Sequence, residues 1–98
     1  MILKEITTQL ATALHPVAKA LHHGEHFKVL AIGFKKGMVL KEHMAHQPTK
    51  LFVLQGQIIY HQNDSSTPLA LFDEIIIPVN IPHSVEAVED SLCLLTQG

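Results

Sequence analysis

Apolar positions at the start of the chain follow a helical period. Ile6, Leu10, Leu14, Val17 and Leu21 recur at spacings of three and four, which lines them along one face of a helix. Pro16 interrupts that stripe and disfavours helical geometry at His15. The pattern predicts a helix from about residue 3 to 14, a short helical turn to about 22, and a stop at Gly24. From Phe27 onward the period changes. Segments 27–34, 38–43, 50–61, 69–71, 74–77, 83–88 and 92–96 read as about seven short strands. Gly56 marks a bend or bulge inside the longest of them, and segment 63–68 (NDSSTP) reads as the clearest turn. Short strands parted by Gly, Pro, Asn and Asp predict a β-sandwich or small barrel. One domain is expected, with a helical segment over 1–24 and a β-barrel over 25–98.

Composition narrows the function classes. Of 98 residues, 47% are hydrophobic and 16% charged, which excludes a disordered tail or solvated linker. No apolar run approaches the roughly 18 residues of a membrane helix. The helix's polar face also carries few cations, so its apolar stripe should cover the domain or a partner subunit rather than a lipid surface. The first residues lack a secretory pattern, so a cytoplasmic location is expected. Seven Lys plus Arg against nine Asp plus Glu leave a net charge of −2, a poor basis for nucleic-acid binding. A single cysteine excludes an internal disulfide and a Cys-rich zinc module. Eight histidines without a tryptophan make imidazole the candidate chemistry.

Two segments carry a recognisable spacing. The first runs from Gly37 through His43, His46 and Thr49 to Gly56; the second runs from Asp73 through Pro78, Asn80 and His83 to Ala87. Together they resemble the two motifs of the cupin family. Gly37, His43 and Gly56 fall on their places in the first motif, and Phe52-Val53-Leu54 sits where an aromatic and two aliphatics are usual. Pro78 and His83 fit the second motif, with Phe72 and Asn80 at its two glycine places and Ala87 at its final Asn. Asn tolerates left-handed geometry, so that turn can survive. Within the family the chain looks like the short single-domain cupin-2-type barrel proteins. The resemblance implies an all-β jelly-roll (double-stranded β-helix) barrel with a short N-terminal helix and a site inside its mouth.

The resemblance also implies a divalent metal such as Zn, Ni, Fe or Mn, held by histidines and a carboxylate. Only His43 and His83 match that ligand set. Ala45 occupies the second histidine's place with His46 one residue beyond, and Thr49 occupies the place of the Glu. His43, His83 and His46 are therefore the candidate metal ligands. On a straight strand His43 and His46 point to opposite faces, so both reach one ion only if the chain bulges or turns before Gln47-Pro48. Thr49, Phe52, Val53 and Val85 are the candidate pocket residues, with Leu94 as a further wall. Glu42 should point away from His43, and His22, His23 and His26 should form a solvated loop. His61 could face either side. Glu86, Glu89 and Asp90 read as solvated, and Cys93 in its apolar run reads as a packing residue.

Two functions follow. The first is a small-molecule binding or sensing module with a degenerate metal site. The alternative is a metal-dependent enzyme of the dioxygenase, isomerase or decarboxylase type. A homodimer is also expected, from the amphipathic helix, the exposed sheet edges and the pairing habit that the resemblance implies.

Overall fold

The structure is a computed structural model and describes residues 1–98. Helix α1 spans Ile2–Leu10, shorter than expected, and Leu14 beyond it is exposed. Nine strands follow: β1 (Val17–His23), β2 (Lys28–Phe34), β3 (Val39–His43), β4 (Thr49–Gln55), β5 (Ile58–Gln62), β6 (Ser65–Leu69), β7 (Glu74–Ile77), β8 (His83–Ala87) and β9 (Ser91–Gln97). All pairings are antiparallel. They build a five-stranded sheet of order β1-β2-β9-β4-β7 and a four-stranded sheet of order β3-β8-β5-β6.

Two sequence expectations need correcting. The helical turn expected up to residue 22 is instead strand β1, paired along β2 from Val17↔Gly33 to His23↔Lys28. Pro16 thus precedes a strand rather than opening a turn of helix. The turn expected over 63–68 shrinks to Asn63-Asp64, with Asn63 at φ 52°, and Ser65–Leu69 becomes β6. Pro68 is tolerated there because β6 is an edge strand that bonds only to β5.

The core fills the space between the sheets. Ile32, Leu51, Val53 and Cys93 from the first sheet meet Ile58, Tyr60, Val85 and Ala87 from the second. Strands β4, β8 and β9 each contribute alternate residues, as the pleat requires. Cys93 is fully buried, and burial pushes its thiol pKa up to about 12, so it packs as a small apolar group. Helix α1 covers the outer face of β1 and β2. Ala31 is fully buried beneath it, and a methyl group added at Gly33 would sit 2.5 Å from Ile6 Cγ2. Small residues on that face therefore let the helix approach.

The two ends of the barrel differ. At one end, Ser91 and Asp90 tie three connections together. Ser91 Oγ donates within reach of the Gln57 and Glu89 carbonyls and accepts from the Gln57 amide, while Asp90 Oδ1 accepts from the Lys36 amide at 2.9 Å. The other end gathers the start of β2 and β8 and the close of β3, β7 and β9. This is the mouth. Two loops cross it, joined where the Asn80 amide donates to the Ala45 carbonyl at 2.8 Å.

Candidate functional site

A cavity of about 290 Å³ opens at the mouth between the sheets. Its body is apolar: Leu30, Ile32 and Phe34 from β2, Leu51 from β4, Ile77 from β7 and Leu95 from β9 face Leu40 and Val85. Alternation along β2 puts Lys28, Leu30, Ile32 and Phe34 on one face, so the same stripe ends in a cation at the rim. Along β9, Leu95 and Gln97 do the same. His43 and His83 complete the rim. A shallower groove of about 310 Å³ lies under the end of α1 and carries no imidazole.

A bulge places His43. Leu40 pairs with Val85 and His43 pairs with His83, so β3 spends three residues where β8 spends two. The extra residue lets Leu40 and His43 share the inner face, while Glu42 lines the outer depression beside His15 and Lys41. The His43 and His83 rings stand 4.3 Å apart between centroids. His83 is 3% exposed and lies stacked 5.7 Å from the Tyr60 ring. Tyr60 is equally buried, and its hydroxyl donates to Gln62 Oε1 at 2.8 Å. Burial raises its pKa.

Each of the paired histidines has one nitrogen committed. Nδ1 of His43 donates to the Lys41 carbonyl at 2.9 Å, and Nδ1 of His83 donates to the Ile81 carbonyl at 3.2 Å. A carbonyl only accepts, so each neutral ring keeps its lone pair on Nε2. That tautomer suits a metal ligand. The rest of the ligand set does not assemble. His46 sits apart, its Nδ1 3.0 Å from Asn80 Oδ1, where it braces the two mouth loops. Thr49 is buried, and its hydroxyl donates to the Gln47 carbonyl at 2.8 Å. No three His, Cys, Asp or Glu side chains converge as a metal would need, so the residues present do not fit a protein-held ion.

The other sequence-predicted pocket residues divide. Val85 lines the cavity. Val53 is fully buried in the packed core below it. Phe52 faces outward, opposite to the expectation, because Thr49, Leu51 and Val53 take the inner face of β4. Its ring lies 5.4 Å beneath the Lys50 ammonium. Leu94 shares that outer face, between buried Cys93 and Leu95. Sequence reasoning missed Lys28, Gln97 and Tyr60, although the period-two stripe of β2 already points to Lys28. It also missed the bonding of His61, which faces outward. Its Nδ1 lies 2.7 Å from Ser66 Oγ and its Nε2 lies 2.8 Å from Glu86 Oε1.

Burial lowers the His83 pKa, and neighbouring His43 adds to this; the Ile81 carbonyl and the Glu42 charge oppose it. The folded chain then holds this proton less tightly than the unfolded one. Stability should therefore be unaffected by His83 above its ordinary range near pH 6.5 and fall as pH drops through that range. Urea midpoints measured from pH 8 down to pH 5 should decline less steeply in His83→Gln than in the natural chain. Parallel curves would mean that His83 is not a buried titrating group.

A two-sheet jelly roll with a cavity at one end defines a class of barrel, and solved structures supply its name. An RmlC-like cupin from Desulfovibrio desulfuricans superposes with a TM-score of 0.77 at 28% identity, covering 84% of this chain and 80% of that one. A cupin superfamily protein from Desulfitobacterium hafniense gives 0.80 at 18% identity, covering 86% and 77%. KdgF from Halomonas sp. gives 0.77 at 21% identity, covering 87% and 81%. No family model matches the sequence, and no curated protein sequence does. The chain has the fold of the cupin barrels. None of its helices is long and apolar enough to cross a membrane.

Proposed function

We propose that the protein is a small-molecule binding or sensing module whose metal site is degenerate. The single observation carrying this reading is the apolar cavity at the mouth, rimmed by His43 and His83 without a third metal ligand. Its size lies near the lower limit for specific ligand pockets, which suits a metabolite rather than a polymer. The test is a titration with a panel of small aliphatic and aromatic acids, amines and alcohols, followed by methyl NMR. Ligands should shift Ile32, Ile77 and Val85 and leave Ile76 on the outer face unmoved. Shifts confined to outer-face methyls would overturn the reading.

The closeness of the two imidazoles favours a second reading, a metal-dependent enzyme. On that reading Zn²⁺ or Ni²⁺ should bind with affinity that falls in His43→Ala and His83→Ala but not in His23→Ala. Two imidazoles alone make a weak site, so a metal lost from the natural chain on gel filtration supports the binding module instead.

We also propose a homodimer through the outer face of the five-stranded sheet. Phe52 and Leu94 lie there beyond the cover of α1, with Ile76 70% exposed on the edge strand. Sedimentation equilibrium at micromolar concentration should show twice the chain mass. A monomer alone would remove this proposal.

A further inference from the structure

We propose that the ligand of the mouth cavity is the anion of a small apolar monocarboxylic acid, its carboxylate received by Lys28 and Gln97. The inference rests on the binding-module reading and names the chemical class that module takes. Three observations carry it. First, no Asp or Glu lines the cavity, whereas Lys28 does. Second, Lys28 pairs with no carboxylate, and of the five lysines in that condition it alone lines the cavity. An unpaired cation at the edge of an apolar space is a ready anchor for an anionic head. Third, Lys28 and Gln97 are direct cross-strand partners on the same inner face. Such partners hold their Cβ atoms roughly 5 Å apart. An ammonium and a carboxamide so spaced can each donate to one oxygen of a planar carboxylate.

The ligand's body then follows from the walls. Below the rim the lining is Leu30, Ile32, Leu51, Ile77, Val85 and Leu95, so a hydroxylated chain would find polar partners only in the His43 and His83 rings at the rim. A sugar-like body would bury hydroxyls without partners, which costs about 1–3 kcal/mol each. An alkyl or aryl body costs nothing of that kind. A cationic head is disfavoured by the Lys28 ammonium, and a neutral head forgoes its charge.

Octanoate, octan-1-ol and octylammonium share a tail and differ in the head, so they separate these cases. Isothermal titration calorimetry should find octanoate binding at least about tenfold more tightly than the other two. In Lys28→Gln that preference should vanish. The exposed Lys36, at the opposite end of the barrel, serves as control, and Lys36→Gln should keep the preference. Octanol or octylammonium binding as tightly as octanoate would overturn the carboxylate assignment and leave the cavity reading intact. A preference that survives in Lys28→Gln would also overturn it. If none of the three binds and no cavity methyl shifts, the module reading falls together with this one.

Discussion

Gly56→Ala should destabilise the protein by about 4 kcal/mol, whereas Phe72→Gly should stabilise it by about 1 kcal/mol. Both positions occupy left-handed backbone, Gly56 at φ 86° and Phe72 at φ 71°. At Gly56 the strain of a side chain in that region is joined by a collision. An added Cβ would overlap the Asp90 carbonyl oxygen and Ser91 Oγ, and would lie 2.8 Å from Ser91 Cα. These atoms cannot retreat, because Ser91 and Asp90 hold the connections at that end of the barrel together. At Phe72 the situation reverses. Its side chain is 80% exposed, so little packing is lost, and glycine relieves the unfavourable φ. Both effects can be read from urea denaturation midpoints at unchanged m-value. An unshifted midpoint for Gly56→Ala would show that the β4–β5 connection yields more easily than this geometry allows.

Tyr60→Ala should cost about 3–5 kcal/mol, the range for emptying a fully buried aromatic site. Tyr60 is among the largest fully buried side chains and supports the mouth from below through its stacking on His83. Tyr60→Phe keeps the ring and removes only the hydroxyl bond to Gln62, so it should cost about 1 kcal/mol. The two variants separate packing from hydrogen bonding. In Tyr60→Ala the His83 ring resonances should also move, and in Tyr60→Phe they should remain. Equal losses in the two variants would assign Tyr60's contribution to its hydroxyl rather than its ring.

The barrel was legible in the sequence because short strands are parted by Gly, Pro, Asn and Asp and because two motif spacings fall in register. Asn80 was legible for a chemical reason: it stands at a glycine place of the motif and does adopt a left-handed φ of 61°. Strand β1 was not legible. Val17 and Leu21 continue the helical spacing of α1, and Ala and Leu favour helix on propensity alone. A register shift between Ala20 and His22 further blurs the alternation that marks a strand. Pairing along β2 decides the matter, and pairing is not a local property. The His43–His83 approach was legible from motif spacing. The faces of Phe52 and Leu94 were not, because a one-residue error in strand phase moves every side chain across the sheet. His46 failed to join the pair because Asn80, 34 residues away, holds it.

Strand β9 lies at the middle of the five-stranded sheet, between β2 and β4, although it comes last of the nine. Before residue 97 exists, β2 and β4 have no strand to bridge them, and the apolar faces that become the cavity wall stay open. Only the β1–β2 and β4–β7 pairings of that sheet can form earlier. Synthesis proceeds at about 5–20 residues per second, slow enough for those pairings to close and reopen many times while waiting. The rate-limiting event should be the insertion of β9 between two waiting strands. Pairings of such long sequence separation place the chain among domains that fold in milliseconds to seconds. The apolar faces of β2 and β4 therefore stay exposed to solvent and to other chains until β9 has docked between them.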